Sequence, residues 1–412
     1  MPERSDSQLP LGEQIARLRR DRGMTQEQLA DRSGVSVSVI RKLEHLERDS
    51  ASLSTLHRLA AALGVTTMTL FCPAPQLTAL PDDDERDDLH AIRRVLQPPR
   101  PGGQPVKFAD DDQAPNLGEL ERSILLARRM VHADNFVAAV QAVPLLIVGA
   151  RAAVAADGGE RAQRLLSAAY TTAGNLLIHM RKDDLAYHAL GLGMEAAHAA
   201  GDLVLVASSV AGETWLLIRQ GRFDEAETVA LATSEAIEPS FVRSPARQVA
   251  SWGWLMLGAS AAAVRNNRPD VAADTMAHAR AAAVRVDAAG DYRGDGTTFG
   301  TAVVDWRTTE NALVLGDVET ALRVARLAAP PVGPSTGYHR FQLDVAAAHL
   351  EMRQKDKALA ILVDLRHRAP SWLRRQRYAR VLARRLADTY KRAIPADVRE
   401  LVIFVGAAEV RG

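Results

Sequence analysis

The side chains best suited to chemistry in this 412-residue chain lie in the segment 25–44, where hydroxyls and cations flank a tight turn. Gly34 supplies a backbone conformation at that turn that a β-carbon would strain. Ser36 caps the helix that follows, and free amides at a helix N-terminus bind phosphate groups. Arg41 and Lys42 come about two helical turns later, within reach of a phosphate or a guanine edge. The segment therefore predicts contact with nucleic acid.

Short helical patterns surround this segment and predict a compact five-helix domain over residues 9–72. Thr25 caps the second helix, and Gln28 three positions later completes a capping box. Gly64 ends the fourth helix, and residues 65–71 form a short closing element. Apolar residues at helical spacing predict the core: Leu11, Ile15, Leu18, Leu29, Ala30, Val39 (or Val35 before it), Ile40, Leu43, Leu53, Leu56, Leu59, Ala60 and Leu63.

A specific resemblance to a known family covers about sixty residues. It rests on Arg19, Thr25-Gln26, Leu29-Ala30, Gly34-Val35-Ser36, Ile40, Glu44, and the closing Leu56, Ala60 and Leu63-Gly64-Val65. The segment resembles the phage-repressor-like helix-turn-helix regulators of bacteria. The resemblance implies that Gln26 contacts a phosphate, and that an ion pair between Arg19 and Glu44 locks the first helix to the third. It also implies that base edges are read from Ser36, Val37, Ser38, Arg41 and Lys42.

Two features depart from that family's pattern. Val37 stands where the family often has a long polar side chain, so it could touch only a thymine methyl group. The glycine that usually follows the third helix is absent, and residues 1–75 hold only ten Lys/Arg against nine Asp/Glu. One such module contacts a half-site, so tight binding predicts a homodimer on a near-palindromic DNA operator. The alternative is a degenerate module that mediates protein contacts alone.

Residues 73–116 are rich in proline, glycine and aspartate and predict a linker. The acidic run at 110–112 is interpreted as solvated rather than as a metal site, because runs of like charge are usually solvated. Residues 82–96 are compatible with a short embedded helix, whose apolar side is formed by Leu89, Ile92, Val95 and Leu96.

Residues 117–392 repeat a pattern of a helix, a short polar turn and a second helix with an early alanine. These alanines are 48, 40, 46, 49 and 37 residues apart, and a small residue stands twelve positions before each of the last five. Small residues at both positions allow the two helices of a hairpin to pack closely. The alanines are Ala138, Ala186, Ala226, Ala272, Ala321 and Ala358, and the small residues are Gly174, Thr214, Ser260, Thr309 and Ala346.

This pattern resembles degenerate tetratricopeptide repeats, which implies an α-solenoid with a concave side. The two modules together resemble a group of actinobacterial regulators, and the fold is also similar to that of peptide-sensing quorum regulators. The predicted fold class is therefore all-α, with an N-terminal helix-turn-helix domain and a C-terminal tetratricopeptide-like solenoid.

The repeat register predicts which side chains face the concave groove. Arginines there would hold a carboxylate, asparagine would bind a peptide backbone, and tryptophans would add apolar contact. The alternative is that these are ordinary solvated residues, with the tryptophans partly in the core. The predicted groove residues are Asn175, His179, Trp215, Arg219, Trp254, Arg265 and Glu310.

The C-terminal part is predicted to close the solenoid. The segment 372–385 is strongly basic and is interpreted as a solvated capping helix; a second DNA contact and contact with the acidic linker stay open. Residues 393–412 are predicted to form a tail, whose apolar run at 401–405 packs against a neighbouring element or a dimer partner.

The sequence contains no phosphate loop, His-Glu-x-x-His motif or Gly-x-Ser-x-Gly motif, and its eleven histidines lack metal-ligand spacing. The glycine-rich stretch 294–300 lacks the preceding strand of a dinucleotide site. We therefore expect no catalytic residue, cofactor or metal. Cys72 is the single cysteine, which fits a reducing cytoplasm, and no apolar run approaches the roughly 20 residues that span a bilayer.

Two hypotheses about function remain. In the first, a cytoplasmic homodimer regulates transcription from an operator, and a small molecule or short peptide in the repeat groove changes its geometry. In the second, the repeats are a scaffold for another protein and no small effector exists.

Overall fold

The computed structural model describes residues 11–45, 53–65, 83–99, 116–289, 299–331, 333–390 and 393–407. All regular structure in these ranges is helical, which confirms the predicted all-α class. The chain divides into two compact units, Met1–Glu85 and Arg86–Gly412. Each unit has a hydrophobic core of its own.

The first unit contains four helices in the described ranges: α1 (Leu11–Asp21), α2 (Gln26–Ser33), α3 (Val37–Glu44) and α4 (Leu53–Ala62). Thr25 begins α2 through a complete capping box with Gln28. Gly34 ends α2 with a left-handed φ of 64°, a conformation that a side chain would strain. The part of the predicted closing element that follows Val65 lies outside the described residues. The core of this unit is formed by the buried side chains of Ile15, Leu18, Leu29, Ala30, Val35, Ile40, Leu43, Leu59, Ala60 and Leu63.

A helix within the predicted linker, α5 (Asp83–Leu96), leads into the second unit. Its apolar side is buried in the core of that unit, and His188 Nε2 lies 3.0 Å from the carbonyl oxygen of Leu96. The buried residues are the four that the sequence places on one side of this helix: Leu89, Ile92, Val95 and Leu96.

Twelve further helices of the second unit form six consecutive hairpins. They are α6 (Leu117–His132), α7 (Phe136–Asp157), α8 (Glu160–His179), α9 (Asp183–Ala199), α10 (Leu203–Arg219), α11 (Phe223–Ala236), α12 (Ala246–Arg265), α13 (Pro269–Ala289), α14 (Thr301–Val314), α15 (Val318–Leu327), α16 (Thr336–Glu351) and α17 (Lys355–Arg368). Each hairpin turn contains one residue with a positive φ, which reverses the chain. These residues are Asp134, Arg181, Gly221, Asn267, Gly316 and Arg353.

The helices of a hairpin approach closely where the sequence has small residues. Five of the six alanines of the repeat pattern are buried, and Ala138 in the most divergent copy is half-buried. A β-carbon on Gly174 would lie 2.6 Å from Leu190 Cδ2, so no larger residue fits without a shift. Ser260 Oγ donates to the carbonyl oxygen of Ala272, the repeat alanine twelve positions later, at 2.7 Å.

The first and last hairpins meet, so the solenoid closes on itself. Asp134 Oδ2 in the α6–α7 turn accepts the backbone N–H of Ser371 at 2.9 Å. Thr336 Oγ1 lies 3.4 Å from His132 Nδ1 and 3.3 Å from His179 Nε2. One continuous hydrophobic core contains residues of α5–α9 and of the chain from α16 onward. Both ends of the repeat array therefore border the predicted concave groove.

Three short helices complete the second unit: α18 (Pro370–Arg375), α19 (Arg377–Asp388) and α20 (Ala396–Phe404). The arginines of α19 are engaged at the C-terminus of α20, where Arg380 Nε donates to Val405 O at 2.8 Å and Arg384 Nε to Ala407 O at 3.2 Å. The segment predicted as a tail thus contains a helix, which packs in the core through Leu401 and Val402.

Helix α7 is long and apolar enough to cross a membrane by length and composition alone. Half of its most apolar window is buried inside the fold, where it packs between α6 and α8. That packing accounts for its buried half, whereas Val137 and Leu145 on the same helix are exposed.

Candidate nucleic-acid interface and buried cavity

A bidentate ion pair joins α1 to α3 in the first unit. Arg19 donates from Nε and Nη2 to the two carboxylate oxygens of Glu44, both at 2.7 Å, and from Nη1 to Met24 O at 2.8 Å. Burial raises the pKa of Glu44, but hydrogen bonds from Arg19 and Gln26 outweigh it, so the pKa lies below its usual value. The pair fixes α3 against the rest of the unit.

Gln26 belongs to the same network, because its Nε2 donates to Glu44 Oε2 at 2.7 Å. This side chain is therefore already engaged at the N-terminus of α2. Its backbone N–H lies in the first turn of α2, where amides have no partner within the helix. A phosphate contact by Gln26 stays a prediction, and the backbone amide is the donor better placed for it.

The outer surface of α3 presents the side chains that the sequence predicts as base readers. Ser36, Ser38, Arg41 and Lys42 are exposed, and the Ser36 hydroxyl makes no cap hydrogen bond. Val37 is half-buried and packs against the core of the unit, which leaves it little surface for a base.

A cavity of about 360 Å³ lies inside the second unit, between the first helices of the hairpins. Trp215, Trp254 and Trp306 line it, together with polar side chains from α6, α8, α10, α14 and α16. The guanidinium of Arg307 lies 4.7 Å from the centre of the Trp215 ring. The cavity thus combines aromatic faces with charged groups.

Glu310 is the centre of a buried charge cluster on one wall. Its side chain is 3% exposed and accepts hydrogen bonds from Arg265 and Arg307, each at 2.6 Å, with Arg340 at 3.5 Å. Burial raises the pKa of Glu310, but the three guanidiniums outweigh this effect and hold the pKa well below its usual range. Arg340 also lies 3.4 Å from Asp344, where burial raises the pKa of that carboxyl to about 6.

Elsewhere in the lining, His132 and His179 lie near the hydroxyl of Thr336. Burial, together with the charges of His132 and Arg219, lowers the pKa of His179 to about 3. Its imidazole is therefore neutral at pH 7, and it stacks on Phe136 with ring centres 6.0 Å apart.

Arg219 extends from the end of α10 into the cavity lining. Its Nη1 donates to Ile178 O at 2.9 Å, and Nη2 lies 2.9 Å from Asp183 Oδ1. Burial lowers the pKa of Arg219 to about 10, and the charge of Arg181 adds to this effect.

Residues 15–70 match the sequence profile of the family described as helix-turn-helix. The HTH-type transcriptional regulator y4dJ of Sinorhizobium fredii is 41% identical over 66 residues, which are 16% of this chain and 84% of that protein. The chain belongs to the helix-turn-helix family of transcriptional regulators.

The regulator is also 38% identical over 74 residues to the HTH-type transcriptional regulator RghRB of Bacillus subtilis. The match covers 18% of this chain and spans about half, 53%, of RghRB. The crystal structure of Bacillus thuringiensis PlcR in complex with the peptide PapR7 and DNA aligns with 77% of the regulator and 95% of that chain, at a TM-score of 0.29 and 10% identity.

The regulator's structure brings most of the predicted groove residues to one place. The cavity is lined by Asn175, His179, Trp215, Arg219, Trp254 and Glu310. Arg265 stands behind the lining and pairs with Glu310. The predicted polar groups do not form one exposed row, because His179 is half-buried and Arg265 is paired with Glu310.

Several lining residues of the regulator are absent from the predicted set. Arg340 lies eighteen positions before Ala358, and Arg307 fourteen positions before Ala321. The position eighteen before the alanine also gives Trp254, so the repeat register itself places Arg340 on the concave side, although Arg340 is not among the predicted groove residues. Arg307 does not stand at a position of that register. Trp372 lies beyond the last hairpin, and only the closure of the solenoid brings it to the cavity.

Proposed function

We propose that this chain is a sequence-specific transcriptional regulator that binds an operator as a homodimer and senses a small effector in its cavity. The exposed face of α3 carries the DNA-binding part of this proposal. There Ser36, Ser38, Arg41 and Lys42 project from a helix that the Arg19–Glu44 pair holds rigidly. Hydroxyls and cations on one helix face suit both phosphates and base edges.

Dimerisation follows from the small area of a single reading helix. One module contacts a half-site, and two modules about one helical turn of DNA apart, roughly 34–36 Å, double the contacts. Because α3 carries few cations, one copy of the protein binds DNA weakly, and a second copy in a dimer adds to the affinity for DNA.

Effector sensing is supported by the cavity between the hairpins. Its volume of about 360 Å³ lies within the roughly 300–1,000 Å³ range of small-molecule sites. Hydrogen bonds at Asp134 and Thr336 close the solenoid around it. A ligand in the cavity changes DNA binding only if it binds two conformations of the protein with unequal affinity.

The double variant Arg41→Ala, Lys42→Ala tests the DNA-binding surface. We expect weaker binding to an operator selected from genomic fragments, and a salt dependence whose slope falls by about one for each phosphate that the variant no longer neutralises. Fluorescence anisotropy measures both, and Arg122→Ala on α6 is the matched control. Unchanged operator affinity, with helicity intact by circular dichroism, would contradict the assignment of α3.

The double variant Arg219→Ala, Arg265→Ala tests the sensing part. It should alter the response of DNA binding to culture extract and leave DNA binding without extract unchanged. A loss of binding without extract would show that these arginines are structural. A stable complex with a protein partner, without stabilisation by any small compound, would favour the scaffold hypothesis.

A further inference from the structure

We propose that the cavity binds a small aromatic carboxylic acid, with its carboxylate at Arg219 and its ring among the tryptophans. This inference rests on the proposed effector sensing and names the chemical class of the effector. Three independent features of the cavity carry it: its excess of positive charge, the identity of its unpartnered polar atoms, and its size and aromatic lining.

The described lining contains more guanidinium groups than carboxylates. The two lining carboxylates, Glu310 and Asp344, are already contacted by arginines. Arg219 and its neighbour Arg181 stand apart from that cluster and share the nearby Asp183. A buried excess of positive charge favours an anionic ligand. The lining arginines that carry this argument are Arg181, Arg219, Arg307 and Arg340.

The unpartnered buried polar atoms on described lining residues are all N–H donors. They are Nε of Arg219 and Nε1 of Trp254, whereas Nη2 of Arg219 forms an ion pair with Asp183 Oδ1 at 2.9 Å. A carboxylate supplies strong acceptors for such donors. The cavity therefore favours a ligand that supplies hydrogen-bond acceptors.

The rest of the cavity suits a flat apolar body. Trp215, Trp254 and Trp306 line it, and Arg307 already covers one face of Trp215. Aromatic rings pack against such faces in offset or edge-on contacts. The volume of about 360 Å³ is near the lower end for small-molecule sites, which favours one ring system over an extended chain.

Matched acids and amides test this class on the full-length protein. The probes are indole-3-acetate with indole-3-acetamide, 2-naphthoate with 2-naphthamide, and benzoate with benzamide, measured by thermal shift and calorimetric titration. We expect at least one acid to bind about tenfold more tightly than its amide, the size of one charge-assisted hydrogen bond. Arg219→Gln should remove that preference.

Two further variants keep the result interpretable, because Arg219 also holds Ile178 O. Trp254→Phe retains an aromatic ring, removes the Nε1 donor and should weaken acid binding without unfolding the protein. Arg323→Gln, on the exposed face of α15, should bind acids like the wild type. Equal affinity of every acid and its amide, unchanged acid binding in both cavity variants, or no binding of any acid would overturn the acid class.

The same experiment separates the two proposals. Stabilisation by a neutral compound or by culture extract, with no preference for acids, would leave effector sensing standing and overturn only the ligand class. No stabilisation by any probe or by extract would overturn both.

Discussion

Glu310 is a buried carboxylate whose role is testable by a nearly isosteric change. Glu310→Gln leaves Arg265, Arg307 and Arg340 without their shared anion. Removing one partner of a buried ion pair costs about 3–5 kcal/mol. The arginine side chains are 17–27% exposed, so solvent offsets part of the repulsion and we expect about 3 kcal/mol. Urea unfolding measures the loss.

The matched control for Glu310→Gln is Glu351→Gln, whose exposed ion pair with Arg385 is 2.6 Å long. Exposed pairs contribute about 0–1 kcal/mol, so this control should change the free energy of unfolding little. Equal losses in the two variants would contradict a structural role for the cluster.

Three half-buried histidines predict a loss of stability on mild acidification. The folded pKa is about 3 for His179 and about 4 for His339, and that of His132 is also lowered. Unfolded histidines bind protons below about pH 6.5, so unfolding takes up protons between pH 6.5 and 5. Asp344, with a folded pKa of about 6, releases about one proton on unfolding in the same window.

The histidines outweigh Asp344, because two or more protons are taken up against one released. We expect the free energy of unfolding to fall by about 1 kcal/mol per pH unit between pH 6.5 and 5. Urea unfolding followed by circular dichroism at several pH values measures this slope. Asp344→Asn should steepen it and His339→Gln should flatten it. Constant or rising stability on acidification would refute the prediction.

At the scale of helices, two glycines on the facing helices α8 and α9 offer a matched pair. Gly174→Ala places a β-carbon 2.6 Å from Leu190 Cδ2 and 2.7 Å from Cγ, so the α8–α9 contact must open. Overpacking of this kind costs about 1–3 kcal/mol. Gly191→Ala on α9 meets nothing within 4 Å and should stabilise the helix by up to about 1 kcal/mol.

Thermal unfolding of both alanine variants measures this difference. A destabilising Gly191→Ala would show that α9 is not helical there in solution. A neutral Gly174→Ala would show that the hairpin contact is looser than the structure indicates.

Helices and their pairing are readable from the sequence because their determinants are local. The capping box at Thr25, the left-handed turn at Gly34 and the paired small residues Ser260 and Ala272 each depend on residues close in sequence. The register also brings six predicted side chains to one cavity. Whether a predicted groove residue is free or paired does not depend on its neighbours in sequence. Arg265, for example, is paired with Glu310, 45 residues later.

At the scale of the molecule, closure of the solenoid cannot be predicted from repeat patterns. It depends on small rotations between successive hairpins, which add up over the whole array. The hydrogen bond between Asp134 and Ser371 joins residues 237 positions apart. The same accumulation brings both ends of the array to the border of the cavity.

The carboxylate of Asp134 provides a test of that closure through a change that spares the backbone. Asp134 has a φ of 62°, which glycine adopts without strain, so Asp134→Gly keeps the turn and removes the carboxylate, which interacts with the backbone N–H groups of Ser371 and Trp372. A buried donor left without its partner costs about 1–3 kcal/mol. We expect faster amide hydrogen exchange in α18 and in the α6–α7 turn, together with weaker binding of any cavity ligand.

Arg353→Gly is the matched control, because Arg353 holds the same place in the α16–α17 turn, with a φ of 56° and an exposed side chain. It should leave exchange in α18 unchanged. Faster exchange in both variants would assign the effect to turn flexibility. Faster exchange in Asp134→Gly alone, with affinity for the ligand reduced, would mean that the ends of the solenoid must be joined for the cavity to hold its ligand. An effector that binds only the joined form would then stabilise closure by its own binding free energy.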